Sequence, residues 1–236
     1  MNLKNKVVLV TGSSDGLGRS LAIKLAKEGA KIALVARSED KLKEVKEIIG
    51  KQAEYFICDI SQPDQIKTTI AKIQKKFKSI DALINCAGVW LQGPTDQTSP
   101  EKIVAMFQAN TLGLINLTSL ILPILKTRPE AMILNVISDS GIDPNPNWGA
   151  YVGSKFAVKG FTDSLKLELK NTNIKVMAIY PGGMNTDLFF KAGNQYHHEP
   201  WMMNKEDVTD VIIFMLTRPQ DVVINDLVVR KFLGGK

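Results

Sequence analysis

Tyr151 and Lys155 stand four residues apart in Tyr151-Val152-Gly153-Ser154-Lys155, a spacing that puts both side chains on one face of a helix. A phenol can give a proton to the oxyanion formed when hydride reaches a carbonyl carbon, and take it back in reverse. Free tyrosine keeps its proton to about pH 10, and a neighbouring ammonium favours the phenolate and is expected to lower that value. Ser138 closes an apolar run upstream, and its hydroxyl can hold a carbonyl oxygen while charge develops on it. Singly such residues are commonplace, and most Tyr/Lys pairs at this spacing only pack on a surface. Their joint placement is what gives them weight.

A second constellation, Thr11-Gly12-Ser13-Ser14-Asp15-Gly16-Leu17-Gly18, joins a short β-branched run to an amphipathic stretch. Glycines there permit a tight turn and let a pyrophosphate approach the N–H groups at a helix N-terminus. Gly12, Ser14, Gly16, Leu17 and Gly18 are the expected contacts. The spacing departs from the commoner dinucleotide fingerprint, and a plain strand-to-helix turn that binds nothing is the alternative. At the end of the second strand, where an acid would hold a 2′-hydroxyl, the chain reads Leu34-Val35-Ala36-Arg37-Ser38. The Arg37 guanidinium suits the 2′-phosphate of NADP, although a solvated loop cation is arginine's ordinary fate. Asp15 cuts the other way, because a carboxylate near a phosphate repels it. NADP is therefore expected ahead of NAD.

These residues need a scaffold, and the chain alternates strand and helix signals throughout. Strands are expected at Lys6–Thr11, Lys31–Ala36, Ala53–Ile57, Asp81–Asn85, Ala131–Ile137, Ile174–Tyr180 and Val222–Val229. Helices are expected from the glycine loop to Glu28, from Ser38 to Ile49 with Gly50 as stop, and at Gln62–Phe77, Pro100–Leu125, Ala150–Leu169 and Lys205–Leu216. Such alternation predicts an α/β fold, a Rossmann-like, doubly wound, mostly parallel seven-stranded sheet with helices on both faces. No linker or repeat beyond the strand–helix unit interrupts it, so residues 1–236 read as a single domain, with 185–204 an irregular substrate-loop region.

With these motifs in place, nearly the whole chain resembles the short-chain dehydrogenase/reductase family, particularly its short NADP-dependent carbonyl reductase and 3-hydroxy acid dehydrogenase-like members. The resemblance rests on Thr11-Gly12 with Gly16 and Gly18, Cys58-Asp59-Ile60, Asn85-Cys86-Ala87-Gly88, Ser138 with Tyr151 and Lys155, and Pro181-Gly182 through Thr186. It implies that Asp59 and Ile60 contact adenine, and that Asn85, Ala87 and Gly88 shape the adenine–ribose pocket. Cys86 departs from the family's asparagine there. It further implies that Met184 and Thr186, after Pro181-Gly182, hold the nicotinamide carboxamide. Tyr151 would exchange the proton, Lys155 would lower its pKa and bind the nicotinamide ribose, Ser138 would orient the substrate oxygen, and Asn110 would steady a water beside the lysine. The implied activity is NAD(P)-dependent hydride transfer between nicotinamide and a carbonyl or secondary-alcohol substrate. A catalytically silent NADP sensor and epimerase or dehydratase chemistry on the same scaffold are the alternatives.

The 236 residues carry 30 Lys and Arg against 24 Asp and Glu, an excess of six spread along the chain, so a nucleic-acid partner is not expected and a small anionic ligand explains the balance. Cys58 and Cys86 lack zinc-like spacing and are expected as buried thiols at strand ends in a reducing, cytoplasmic setting. Val7–Val10 is too short for a secretory core, so no leader is expected. Ile103–Leu125 is uncharged enough to raise a membrane-span reading, but Gln108, Asn110, Asn116, Thr118 and Pro123 favour a buried helix and no membrane. His197-His198-Glu199 invites a metal reading, yet no further ligand is suitably spaced and no metal is expected. Val89-Trp90, Asp139, Ser140, Asp143, Trp148 and the 185–204 loop are expected to set the substrate, with Asp139 favouring a cationic or polyhydroxylated one. The resemblance implies a homodimer or homotetramer, with the helices near 100–125 and 151–169 pairing across an axis.

Overall fold

A computed structural model describes residues 1–196 and 199–233. The strand runs become β1 (Val7–Thr11), β2 (Lys31–Ala36), β3 (Ala53–Ile57), β4 (Ala82–Asn85), β5 (Ala131–Val136), β6 (Ile174–Pro181) and β7 (Asp226–Val229), in the sheet order β3-β2-β1-β4-β5-β6-β7. All six pairings are parallel, where a mostly parallel sheet was expected, and β7 is shorter than its apolar run. Alternate residues of each strand point to opposite faces. Val8, Val10, Ile32 and Leu34 pack under α1 (Gly16–Lys27), α2 (Glu39–Ile49) and α8 (Lys205–Leu216). Leu9, Val35, Leu83 and Ile133 pack under α3 (Pro63–Phe77), α5 (Gly113–Lys126) and α6 (Gly149–Glu168). Both faces are thus covered, which is why the central strands read as unbroken apolar runs. The winding reverses between β1 and β4, and a crevice opens at the carboxyl ends of the strands there.

The expected helix near 100–125 is interrupted. α4 (Pro100–Phe107) passes through one π-helical turn at Gln108–Leu112 before α5 begins, and Asn110 sits in that turn. A π turn inserts a residue into the helical ladder and re-aims its side chains. Pro100–Lys126 as a whole is long and apolar enough to cross a membrane by length and composition. Its buried Leu114, Leu117, Ile121 and Leu125 face the sheet. The segment expected to be irregular contains a four-residue helix, α7 (Leu188–Lys191), and a parallel bridge between Met184 and Met203. His197 and His198 lie outside the described residues, and no group of His, Cys, Asp or Glu that could hold a metal occurs among the described ones.

A buried chain of amides and hydroxyls fixes the sheet to the site helices. Asn85 Nδ2 donates to Asn135 Oδ1 at 2.9 Å and to Thr118 Oγ1 at 3.1 Å, and Asn135 Nδ2 donates to Thr162 Oγ1 at 2.8 Å. This joins β4 and β5 to α5 and α6, the helix that carries Tyr151. Truncating a member of a buried network leaves its partners unpaired at about 1–3 kcal/mol each. Asn135→Ala is therefore expected to lower the unfolding free energy by about 2–4 kcal/mol in urea titrations, with an unchanged m-value.

Candidate active site

A cleft of about 770 Å³ runs along the carboxyl ends of β1, β4, β5 and β6. Gly12, Ser14, Gly16, Leu17 and Gly18 line it at one end with Arg37, Asp59, Ile60, Ala87 and Gly88. Ser138, Tyr151, Lys155, Pro181, Gly182 and Met184 line the rest, with Gly88 beside Lys155 and Thr186 against Gly16. Gly12 is held at φ +67°, and a Cβ there would fall 2.9 Å from the Ala87 backbone, so the glycine loop and the β4 loop close on each other only without a side chain. Two of the expected catalytic and cofactor residues do not line it, nor do Ser140 and Asp143 of the expected substrate set. Asn85 is buried, its carboxamide spent on β5 and α5 as described, so it shapes the pocket only by fixing the strand below it. Asn110 is also buried: its Oδ1 accepts from Val89 N at 2.7 Å, and its Nδ2 donates to Val89 O at 2.8 Å and Ser154 Oγ at 3.2 Å.

At the phosphate end, Asp15 does the opposite of what its type suggests. Its Oδ1 accepts from Gly16 N at 2.7 Å and caps α1, and its Oδ2 accepts from Lys41 at 2.9 Å and from Lys191 of α7. Burial alone would push this carboxyl up, but the hydrogen bonds from Lys191, Lys41 and the Gly16 amide outweigh it and hold it well below the usual carboxylate range. Two ammonium groups on one carboxylate leave the corner positive, so the expected repulsion of a phosphate is cancelled. Neither lysine was singled out from sequence, because their meeting on Asp15 depends on α2 and α7 converging at the loop. Arg37 is exposed in the same corner and makes no ion pair among the described residues.

Tyr151 and Lys155 project from α6 and are both more than nine-tenths buried. The Lys155 Nζ lies 5.6 Å from the Tyr151 ring centroid and makes no hydrogen bond among the described residues. Asn110 Oδ1 and this Nζ flank Gly88, at 3.4 and 3.6 Å from where a Cβ on Gly88 would fall. Burial pushes the Tyr151 phenol up to about 12, with the Ser138 hydroxyl pulling downward and the Asp139 charge adding to the rise. Burial also draws the Lys155 ammonium down to about 8. The expected lowering of the phenol by the lysine is therefore not present in the protein alone, where the cost of burying charge dominates both groups. Cys86, against this pair, is half-buried rather than buried, and Cys58 is buried; both are free thiols.

Ser138 follows β5 at φ 154°, ψ 154°, a region that side chains rarely occupy, at a cost of about 1–3 kcal/mol. Its Oγ accepts from Ser140 N and lies 3.3 Å from Asp139 Oδ1. The wall opposite is aromatic. Trp90 meets Trp148 at 5.3 Å and Phe189 at 4.7 Å between ring centroids, both edge to face. Trp201 packs against Gly183 so closely that a Cβ there would strike its ring. The cleft thus combines a cationic, glycine-lined half with a half that holds a strained hydroxyl, a buried phenol and a buried amine. An extended dinucleotide fits this: glycine backbones and the N-terminus of α1 suit its phosphates, and the unpartnered Lys155 Nζ suits ribose hydroxyls.

The short chain dehydrogenase family model matches residues 6–197. An uncharacterised oxidoreductase of Staphylococcus saprophyticus is 32% identical, across 98% of this chain and 99% of the relative. The NADP-dependent 3-hydroxy acid dehydrogenase of Schizosaccharomyces pombe is 34% identical, across 96% of this chain and 93% of the relative. Among solved structures, the 3-ketoacyl-(acyl-carrier-protein) reductase of Brucella melitensis complexed with NADH superposes with a TM-score of 0.87 at 26% identity, covering 97% of this chain and 98% of that one.

The depressed Lys155 value carries a sign for stability. An ammonium whose pKa falls from 10.5 to about 8 on folding is a charge the fold disfavours, so this group by itself makes stability rise with pH between those values, while the Cys58 and Cys86 thiols, both pushed up by burial, act in the opposite direction from about pH 9. Tyr151 adds nothing below pH 10, where its phenol is protonated in both states. Lys155→Met, which keeps the volume and removes the charge, is expected to stabilise the protein alone at pH 7 by about 2 kcal/mol, or about 4–8 °C in melting temperature, and to remove this group's upward slope between pH 8 and 10. Calorimetry across that range checks this.

Proposed function

The chain belongs to the short-chain dehydrogenase family and is an NAD(P)-dependent oxidoreductase, and from that premise we propose a carbonyl reductase or secondary-alcohol dehydrogenase that prefers NADP. The observation that carries the reading is the Tyr151–Lys155 pair, a buried phenol beside a buried amine with no partner among the described residues, both lining the cleft. The dinucleotide, when bound, supplies or accepts the hydride at its nicotinamide ring. The chain's residues do the rest. The glycine loop and the first turn of α1 hold the pyrophosphate, Arg37 the 2′-phosphate, and Asp59 and Ile60 the adenine side. Met184 and Thr186 orient the carboxamide through the Pro181-Gly182 turn. Ser138 donates to the substrate oxygen as charge develops, Tyr151 gives or takes the proton on that oxygen, and Lys155 holds the ribose. Ribose hydroxyls give Lys155 the partners that it lacks among the described residues, stabilise its charge, and so bring down the phenol that burial raises. Asn110 Oδ1 keeps a lone pair beyond its bond from Val89, in position to hold a water beside Lys155.

A silent sensor would have no use for a strained serine and a buried cation, each of which costs stability without serving the fold. Exposed Val104, Leu112 and Leu120 near α4 and α5, with Phe156 and Leu167 on α6, support pairing of these helices in a homodimer or homotetramer. Two free thiols suit a reducing, cytoplasmic setting.

Tyr151→Phe is expected to lower kcat by about 10²–10⁴ in NADPH-oxidation assays over a panel of ketones and aldehydes, while NADPH binding stays within about twofold. Full activity in that variant removes Tyr151 as the proton donor. Arg37→Ala is expected to weaken NADPH about tenfold and leave NADH unchanged, measured as paired dissociation constants. Equal affinities of the parent for both dinucleotides would retire the NADP preference.

A further inference from the structure

Asp139 is placed where a carboxylate works against the proposed chemistry. It follows Ser138 directly, and its Oδ2 lies 3.3 Å from where a Cβ on Gly182 would fall, at the nicotinamide end of the cleft. Beyond a hydrogen bond from the Ser140 backbone N–H, its polar contacts are long for an anion: Ser138 Oγ at 3.3 Å and Arg230 Nε at 3.4 Å, against about 2.7–2.9 Å for a good charge-assisted bond. Arg230 makes its closer contact through Nη2 with Asp143, so one guanidinium faces two carboxylates and the site keeps a net negative charge. The Asp139 side chain is only 26% exposed, and burial pushes its carboxyl up, as expected where charge is poorly compensated. An anion here opposes both the phenolate at Tyr151 and the oxyanion at Ser138.

Resting on the oxidoreductase reading above, we propose that the substrate is cationic, an alcohol or carbonyl compound bearing a protonated or quaternary amine, seated between Asp139 and the ring wall of Trp90, Trp148 and Trp201. The substrate's charge then offsets the anion that would otherwise slow the reaction, and Asp139 becomes a specificity residue instead of a handicap. The wall fits the same ligand, since indole rings attract ammonium groups and Trp148 and Trp201, which line the cleft, are only partly buried, with Trp90 packed behind. A substrate carboxylate would meet Asp139, and the cation it could use, Arg230, is already engaged by two acids. The chemistry is unchanged: hydride and proton pass to the carbonyl in reduction and leave the carbinol in oxidation, with the charged amine a spectator.

Three ketones of one skeleton, ending in trimethylammonium, tert-butyl or carboxylate, separate the possibilities. Turnover with NADPH and binding to the NADP⁺ complex, read by tryptophan fluorescence, are measured for the parent, Asp139→Asn and Asp139→Ser, and NADPH affinity serves as the check on folding. The parent is expected to favour the trimethylammonium compound over its tert-butyl isostere by about tenfold or more in kcat/KM and in affinity, with the carboxylate last. Both variants should bring that ratio to within about threefold and improve the carboxylate. A parent that binds NADPH but ranks the tert-butyl or carboxylate compound first, or binds none of the three, overturns this inference alone. So does a ratio that survives in a variant with parental NADPH affinity. A parent that binds neither NADPH nor NADH overturns the oxidoreductase reading beneath it.

Discussion

Burial of an amine beside a phenol sets the terms for the rest of the molecule. Lys155 and Tyr151 share one face of α6 in a space so depleted of water that each is pushed toward neutrality, the lysine to about 8 and the tyrosine to about 12. Left alone this is an unproductive arrangement: the acid is too weak, and the cation, still mostly charged at pH 7, is held without a partner to offset its burial. It becomes useful when something anionic or hydroxylated is brought to Lys155, because a stabilised charge in a low-dielectric site acts strongly on a neighbour. We propose on this basis that ligand binding is coupled to acidity, with the structure around the pair keeping both groups buried and their geometry fixed.

That service is distributed. The parallel sheet brings the ends of β1, β4, β5 and β6 to one edge, so residues more than a hundred positions apart line one cleft. The buried Asn85–Asn135–Thr162 chain ties β4 and β5 to the helix carrying the pair. Asn110, turned inward by the π turn, anchors the Val89 backbone and Ser154 at once. At the other end, Asp15 gathers Lys41 and Lys191 and so joins the substrate-loop helix to the phosphate loop across the cleft. These contacts differ in kind, yet each fixes a group whose position matters more than its energy.

Most of the scaffold was legible from sequence, because the strands are apolar runs bounded by glycine, proline or polar residues and the helices show clear faces. The mostly parallel sheet was legible too, from the strand–helix alternation, but the three-part helix was not, since periodicity does not report a single inserted residue. In the site, Gly12, Gly16, Gly18, Arg37, Ser138, Tyr151 and Lys155 were found by type and spacing and do line one cleft. Asn85 stands apart: the family resemblance implied that it shapes the cofactor pocket, while its carboxamide is consumed within the protein. Asp15 misled for another reason. Its charge was visible, but the two lysines that cancel it arrive from elements 26 and 176 residues away. The effect of Lys155 on Tyr151 was also misjudged, because a sequence shows proximity of charges and not the depth at which they are buried.

The central claim is that ligand at Lys155 turns Tyr151 from a weak acid into a usable one. Ultraviolet titration of the phenol, taken as the difference between the parent and Tyr151→Phe, measures this with and without NADP⁺. The account predicts a pKa near 12 in the protein alone, falling by about two units or more once the dinucleotide is bound. A phenol that titrates at the same pH in both conditions, or higher with NADP⁺, would contradict it.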